Sequence, residues 1–312
     1  MHARKIQNEH DRKIELLSWI ANQQTRDVIF INQNMYIMNL LKRFGMVHVK
    51  EADMPIWTST KFNMDENVKN VDIIKYWGMI GSLLYVAASR PDIMFCICLC
   101  ARFQACPNKS RITINKHIFR YLHGIINLGL WYSKWSELSL ISYSNANFAE
   151  CKVNRKTTSG TCYFLGSSLV SWSSKKQNSV ALSTTKAEYI EVGSCCAQNL
   201  RMKQTLKNFG LNFDYIPIKC DNTSALSLFK NPIEHSCTKH IEVRHHFLRD
   251  HMMNGDIVLE FVNTKHQLAD IFIKPLGKDH FCEIKRNLSF IQANDIWGFI
   301  FTCIFFFRRI AC

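Results

Sequence analysis

A run of strand-like segments followed by one long helical segment limits the folds open to this chain more than any other feature of its sequence. Short stretches of apolar and β-branched residues are typical of strands, whereas residues 183–210 have the length of a helix and end in glycine. The predicted strands are 128–133, 138–146, 160–174 with a hairpin turn at 166–168, 179–182, 215–222 and 257–262, and the later predicted helices are 224–231, 240–256 and 266–276. This order predicts an α/β domain with a mixed five-stranded sheet flanked by helices.

The residues before this domain are predicted to be mainly helical. Two strand-like runs, 14–21 and 27–33, are separated by the polar residues 22–26. Helices are predicted at 33–46, with Gly45 as C-cap, and at 71–89, 91–107 and 109–124. The predicted divisions are a frayed start at 1–13, the helical region at 14–127, the α/β domain at 128–290 and an apolar tail at 291–312.

Basic side chains exceed acidic ones by a wide margin. The chain has 39 lysine and arginine residues against 25 aspartate and glutamate residues, which gives a formal net charge of +14. Such a surplus favours a polyanionic partner, nucleic acid first. A solvated basic surface that keeps the chain soluble explains the same charge equally well.

Thirteen cysteines occur without a secretory signal, because residues 1–14 are polar and charged. This combination predicts reduced thiols inside the cell, in the cytoplasm or the nucleus. The apolar run at 296–307 is too short to span a bilayer comfortably. We therefore expect neither a membrane partner nor a small-molecule substrate.

Four polar residues stand at predicted element ends or in the helices that follow. Asn145 ends a strand, Glu188 lies early in the long helix, Asp221 ends another strand and Asp270 lies in the late helix. Carboxylates gathered at one edge of a sheet can hold two divalent cations, and Mg²⁺ or Mn²⁺ prefers such oxygen ligands. Two alternatives stay open, since Asp221 and Asn222 also suit an N-cap pair and Glu188 suits a solvated helix charge.

Eight sequence blocks occur in the order found in one family. They are NLLKRFGM (39–46), IGSLLYVAASRPDI (80–93), RYLHG (120–124), RKTTSGTCYFLG (155–166), SWSSKKQNSVALSTTKAEYI (171–190), CDNTSAL (220–226), KNPIEHSCTKHIEVRHHFLRD (230–250) and QLADIFIKPL (267–276). Through them, residues 14 to about 290 resemble the end of a copia-type retrotransposon Pol polyprotein. That region contains the last part of the reverse transcriptase, which is thumb- or connection-like, followed by the ribonuclease H domain.

The resemblance implies a ribonuclease H-like fold that hydrolyses the RNA strand of an RNA–DNA hybrid with two Mg²⁺ or Mn²⁺ ions. Three of the family's four catalytic acids fall on Glu188, Asp221 and Asp270, but the first falls on Asn145. An amide removes one negative charge and cannot bridge two ions as a carboxylate does. We therefore expect weak metal binding and poor or absent cleavage of the hybrid.

The resemblance also marks what this chain lacks. The family block SDADWAG falls on residues 144–150, where Phe148 and Glu150 depart from it as well, and Glu150 offers an alternative ligand. The family's reverse transcriptase uses an Asp-Asp pair, and no such pair occurs in this sequence. DNA synthesis is therefore not expected. The alternative to an impaired nuclease is a non-catalytic nucleic-acid-binding module or an inert remnant.

Two basic stretches are predicted to contact phosphates. Lys175 and Lys176 follow a strand beside hydroxyl and amide side chains, while Lys239, His240 and Arg244 lie in a helical block. A solvated helix face is the alternative for the second group. A zinc site is a further alternative, with the candidate ligands His235, Cys237, His240, His245 and His246, although no CxxC pair is present.

Overall fold

The computed structural model describes the main chain of most residues between 21 and 293. The described ranges are 21–24, 28–59, 72–105, 107–134, 137–150, 155–230 and 239–293, without the side chains of 21–24, 230 and 239–245. These residues fall into two compact units. The first contains 21–56, 72–134 and 288–293, and the second contains 57–59 and 137–287.

Strands and helices follow one another much as the sequence predicts. The strands are β1 (Ala21–Gln24), β2 (Val28–Asn32), β3 (Leu128–Ser133), β4 (Leu140–Asn147), β5 (Thr158–Leu165), β6 (Ser168–Lys176), β7 (Ile216–Cys220), β8 (Ile257–Phe261) and β9 (Phe290–Gln292). The helices are α1 (Asn34–Phe44), α2 (Ile73–Val86), α3 (Met94–Ala101), α4 (Lys109–Gly124), α5 (Thr184–Lys207), α6 (Thr223–Lys230), α7 (Lys239–Met253) and α8 (Lys278–Asn287). Short 3₁₀ turns span Pro91–Ile93, Thr264–His266 and Leu268–Phe272.

Helix ends follow the capping chemistry of the sequence. Gly45 ends α1 with a left-handed φ of 67°, as predicted, and its N–H donates to carbonyls of the last turn. The side chain of Asn108 accepts a hydrogen bond from the N–H of Arg111 at 3.1 Å and starts α4. Ser183 does the same for α5 through the N–H of Lys186 at 3.2 Å. Local sequence therefore determines where these helices begin and end.

The first unit carries its helices beside an antiparallel sheet with the strand order β1–β2–β3–β9. Two predictions are corrected here. Residues 22–24, predicted as part of a polar break, form β1 together with Ala21 because they pair with β2, whereas 14–20 lie outside the described residues. The strand 128–133 forms, but it pairs with β2 and β9 and not within the five-stranded sheet. Long-range pairing, which sequence periodicity does not report, decides both outcomes.

The second unit contains the mixed five-stranded sheet, so the predicted α/β class is confirmed. Its strand order is β6–β5–β4–β7–β8. β4, β5 and β6 are antiparallel neighbours, while β7 is parallel to β4 and β8 is parallel to β7. Helix α5 buries Tyr189, Val192 and Cys195 in the core that covers β4 and β7. The C-terminal ends of the parallel strands β4 and β7 therefore lie at one edge, which is where the candidate site forms.

Two further element predictions in the second unit are wrong. Residues 179–182 are not a strand but a loop that leads into α5. Residues 266–276 do not form one helix, because Gln267 takes an extended ψ of 97° between two 3₁₀ turns. The Gln267 amide donates to the carbonyl oxygen of Ser144 at 3.0 Å, which ties this segment to the end of β4. A contact between residues that are far apart in sequence thus overrides the local helical pattern.

Neither membrane spans nor disulfides are found in the part of the chain that the structure describes. None of its helices combines the length and the apolar character needed to cross a bilayer. The eight cysteines of the described ranges form no disulfide bond, and six of them are buried. The apolar run at 296–307 lies outside those ranges.

Candidate active site

Asn145 lies near the end of the central strand β4 and is 5% exposed. Its side-chain nitrogen donates to Oδ1 of Asp270 at 2.6 Å. Its side-chain oxygen accepts from the N–H of Ala146 at 2.7 Å. The amide therefore donates to one carboxylate and accepts from one backbone group, and its oxygen is directed to the strand's own main chain.

Glu188 approaches the same strand end from the second turn of α5. Its Oε1 accepts from the N–H of Ala146 at 2.9 Å, and the residue is 4% exposed. Burial raises the pKa of this carboxyl to about 8, and the negative charges of Asp221 and Asp270 act in the same direction. The hydrogen bond from Ala146 opposes the shift. The metal-free site therefore favours a protonated Glu188 at neutral pH.

Asp270 is held in the 3₁₀ turn Leu268–Phe272, which packs directly on β5 at Gly160. A Cβ added to Gly160 would lie 2.7 Å from side-chain atoms of Phe272 and Ile273, so only glycine permits this approach. Asp270 is 1% exposed, and its Oδ2 lies 2.7 Å from Nζ of Lys274. Burial raises the pKa of Asp270, whereas the Lys274 ammonium lowers it.

Asp221 follows β7 and completes the set of four predicted site residues. It lines a cavity of about 370 Å³ together with Asn145, Glu188 and Lys274. The helix α6 is started by Asn222, whose side chain accepts from the N–H of Ala225 at 2.9 Å. The capping role considered for this pair thus belongs to Asn222. We call this space the carboxylate cavity, and Asp270 lies behind it, bonded to Asn145.

The residues around the carboxylate cavity include oxygen ligands, but in the described part of the chain they are not arranged as a metal site. No three histidine, cysteine, aspartate or glutamate side chains within the described ranges are arranged to hold a metal ion. Asp270 already receives a hydrogen bond from Asn145 and an ion pair from Lys274. Oxygen ligands for Mg²⁺ or Mn²⁺ are present, but one of the three carboxylates is neutralised by the protein itself.

Lys274 and Gln267 are site residues that sequence reasoning did not single out. Lys274 stands four residues after Asp270, a spacing that brings side chains together in a helical turn and could have signalled the ion pair. Gln267 offers no such signal, because its contact with the carbonyl of Ser144 joins residues far apart in sequence.

The predicted phosphate contacts are only partly described. Lys175 and Lys176 are exposed at the end of β6. Lys239, His240 and Arg244 belong to α7, but their side chains lie outside the described set. Of the candidate zinc ligands, His246 is exposed, whereas His235 and Cys237 fall in the undescribed range 231–238 and the side chains of His240 and His245 are likewise not described. The contact roles of these residues stay predictions.

Replacing Lys274 by methionine is expected to tighten Mn²⁺ binding about tenfold. The reason is that the Lys274 ammonium, which lies beside Asp270, repels a dication bound to that carboxylate by at least about 1.4 kcal/mol. Titration followed by electron paramagnetic resonance of unbound Mn²⁺ measures the affinity without any reaction. The control is Lys265→Met, which removes an exposed lysine from the turn Thr264–His266. Equal affinity in the two variants would contradict the ion-pair explanation.

Comparisons with known proteins find relatives of this chain, although no protein-family model matches it. Two relatives are retrovirus-related Pol polyproteins of Arabidopsis thaliana, from transposons RE1 and RE2. The first is 36% identical over 254 residues, or 81% of this chain, and the second is 33% identical over 271 residues, or 86% of this chain. The matches cover 17% and 19% of the two polyproteins, so the chain spans less than a fifth of their length.

A solved structure similar to this chain is the N-terminal ribonuclease H domain of Rv2228c from Mycobacterium tuberculosis, determined as a fusion with maltose-binding protein. The similarity covers 48% of this chain and 98% of that chain. The sequence identity is 10% and the TM-score is 0.34.

Proposed function

We propose that the second unit of this chain is a ribonuclease H-like module directed at RNA–DNA hybrids, because the chain is a relative of the copia-type, retrovirus-related Pol polyproteins of transposons. The module lies within residues 137–287 of that unit, and its cleavage of the RNA strand is impaired by Asn145. Residues 14–127 are then a remnant of the reverse transcriptase, without DNA synthesis. The protein acts inside the cell, in the cytoplasm or the nucleus.

One observation carries this proposal. The amide of Asn145 donates to Asp270 at 2.6 Å at the end of the central strand, beside the cavity that Glu188 and Asp221 line. Side chains from β4, α5, the end of β7 and the 3₁₀ turn Leu268–Phe272 thus meet at one edge of the sheet. This convergence is what hydrolysis of a phosphodiester by hard cations requires.

Glu188, Asp221 and Asp270 would hold Mg²⁺ or Mn²⁺, and a bound ion would supply an activated water and stabilise the leaving oxygen. Asn145 and Lys274 oppose the binding of such an ion. Asn145 contributes no charge, and its oxygen is already used by the N–H of Ala146 at 2.7 Å. Lys274 neutralises Asp270. Weak metal binding and slow cleavage follow from these contacts.

A non-catalytic hybrid-binding module is the second candidate, and the same contacts favour it. Asp270 is satisfied by Asn145 and Lys274 with no ion present, so the buried carboxylate has lost much of its need for a metal. Such a site would keep the fold and the basic surface while giving up hydrolysis. Both candidates place a nucleic acid against the second unit.

The test is to measure binding and cleavage separately on the full chain. We expect a labelled RNA–DNA hybrid to bind in EDTA, more tightly than duplex DNA of the same sequence, and to show little or no cleavage when Mg²⁺ is added. A bacterial ribonuclease H acting on the same hybrid is the positive control for cleavage. Rapid Mg²⁺-dependent cleavage by the unchanged chain would refute the impairment, and absence of hybrid binding would refute both candidates.

A further inference from the structure

A second, larger cavity lies farther along α5, where residues from Ile190 to Arg201 line it. Its volume is about 580 Å³, and it runs between the β5–β6 hairpin and α5, wholly within the second unit. We call it the hydroxyl groove, because seven of its seventeen lining residues carry hydroxyl groups. Those hydroxyl-bearing residues are Ser159, Thr161, Tyr163, Ser171, Ser173, Ser179 and Ser194.

The floor of the groove is a polar ladder on one face of the hairpin. Alternate residues of a strand face the same side, and the lining residues of β5 follow that period of two, whereas β6 adds Trp172 and Lys176 to its alternating residues. Thr161 and Ser173 are directly opposite each other, with their hydroxyl oxygens 2.8 Å apart. The cross-strand pairs of the floor are Ser159–Lys175, Thr161–Ser173 and Tyr163–Ser171.

The wall of the groove is a polar stripe on α5. Glu191, Ser194, Gln198 and Arg201 line it at spacings of three, four and three residues, which place them on one helix face. A helix that lies over a sheet normally directs apolar side chains towards it. Here polar side chains of both surfaces face the same open space, with Trp172, Ile190 and Ala197 among them, so the groove suits a ligand that has both polar groups and some apolar surface.

Gln177 fixes the geometry at the end of the groove nearest the carboxylate cavity. It is 6% exposed, and its side-chain nitrogen donates to the hydroxyl of Ser159 and to the carbonyl of Ala187, both at 2.8 Å. These two bonds join the hairpin to the first turn of α5. The groove is therefore held open by buried contacts and does not need a ligand to form it.

The charges around the groove define the chemistry of its occupant. Lys175, Lys176 and Arg201 are exposed at its rim, while the carboxylate of Glu191 is buried in its wall. Cations with serine, threonine and glutamine side chains are the groups that contact nucleic-acid phosphates. A buried carboxylate opposes a bare anion but accepts hydrogen bonds from sugar hydroxyls. A sugar–phosphate chain satisfies both requirements, whereas inorganic phosphate satisfies one.

We propose that the hydroxyl groove binds the sugar–phosphate backbone of one strand of the hybrid outside the cleavage site. This rests on the proposed function, which brings the hybrid to the carboxylate cavity. Glu188 lines that cavity and Glu191, one turn along α5, lines the groove, so one strand passes from the first to the second. From Glu191 to Arg201 the helix rises about 15 Å, or roughly four nucleotide steps along a duplex.

The first test removes charge from the groove. In EDTA, the double variant Lys175→Gln with Arg201→Gln is expected to bind a fluorescein-labelled RNA–DNA hybrid about tenfold more weakly at moderate salt. The slope of log affinity against log salt should fall by about 1.4 to 1.8, the loss of two phosphate contacts. The matched control, Lys42→Gln with Lys207→Gln, removes the same charge from exposed positions outside the groove.

The second test blocks the groove without changing charge. Ser194→Trp is expected to weaken hybrid binding as strongly as the charge variant, whereas Gln204→Trp, an exposed position on the same helix outside the groove, should not. Circular dichroism verifies the fold of every variant. At equal ionic strength, inorganic phosphate should displace the hybrid no better than chloride does. Specific competition by phosphate would indicate a free-anion site and overturn the proposal.

These measurements separate failure of the groove from failure of the nuclease. Because no metal is present, hybrid binding is read without reference to cleavage. Hybrid affinity that is unchanged by both the charge variant and Ser194→Trp would overturn the groove while leaving the proposed function intact. A hybrid that does not bind the unchanged chain would overturn both. Binding with the expected losses in the variants would support the groove whether or not the hybrid is cleaved.

Discussion

Replacing Asn145 by aspartate is expected to raise Mg²⁺-dependent cleavage of an RNA–DNA hybrid by about a hundredfold, equivalent to about 2.7 kcal/mol of transition-state stabilisation. The substitution restores the missing charge at the strand end where Glu188 and Asp221 already line the cavity. It also replaces the Asn145 amide, which donates a hydrogen bond to Asp270 at 2.6 Å, by a second carboxylate. Two carboxylates so close repel each other unless a cation or a proton lies between them.

That repulsion supplies a second observable for the same variant. Without metal, the Asn145→Asp protein should be less stable than the unchanged chain, and Mg²⁺ should raise its melting temperature more than that of the unchanged chain. Cleavage is measured on a labelled hybrid under single-turnover conditions, with melting followed in EDTA and in Mg²⁺. Both readouts test whether the four side chains act as one site.

The matched control is Asn147→Asp, the same chemical change two residues along β4 and within the lining of the same cavity. Asn147 contacts the carbonyl of Ile273 and not Asp270, so the added charge there should not restore cleavage. Equal activation by both variants would mean that net charge, and not a specific ligand, limits the reaction. No activation by Asn145→Asp with hybrid binding retained would favour the non-catalytic binding module.

Replacing Glu188 by glutamine is expected to stabilise the metal-free protein by about 5 kcal/mol at about pH 9, although it removes a predicted catalytic group. Burial raises the folded-state pKa of Glu188 to about 8. Between its unfolded value, about 4.5, and about 8, the folded state binds more protons than the unfolded state, so stability falls by up to about 1.4 kcal/mol per pH unit. The contribution of protonated Glu188 to the free energy of unfolding is fully present below about pH 4.5 and is lost above about pH 8.

Urea unfolding at a series of pH values in EDTA checks this sign. The unchanged chain should lose stability as pH rises through the range, and the Glu188→Gln variant should lose less, because glutamine keeps an oxygen for the N–H of Ala146 but carries no charge. Glu137→Gln, at an exposed position, is the control and should follow the unchanged chain. Parallel pH profiles for the chain and Glu188→Gln would show that the carboxyl is not desolvated.

Most of the fold could be predicted from sequence because the relevant signals are local. The extent of α4, residues 109–124, is predicted to the residue, since Asn108 caps it and Gly124 ends it. The order of β4, β5, β6, α5 and β7 follows from alternating apolar runs and turn residues. The predictions that failed depend on pairing between distant segments. Strand 128–133 joined another sheet, and residues 266–276 broke at Gln267.

The amino-acid sequence by itself determined the class of the domain, the candidate residues Glu188, Asp221 and Asp270, and the loss of charge at Asn145, because side-chain type and order are properties of the chain alone. Only the tertiary structure decided that Asn145 bonds Asp270, that Lys274 neutralises the same carboxylate and that a polar groove opens beside α5. Each of these depends on the approach of segments far apart in sequence. Gly160 illustrates the physical reason, since its missing Cβ lets the 3₁₀ turn carrying Asp270 reach the sheet.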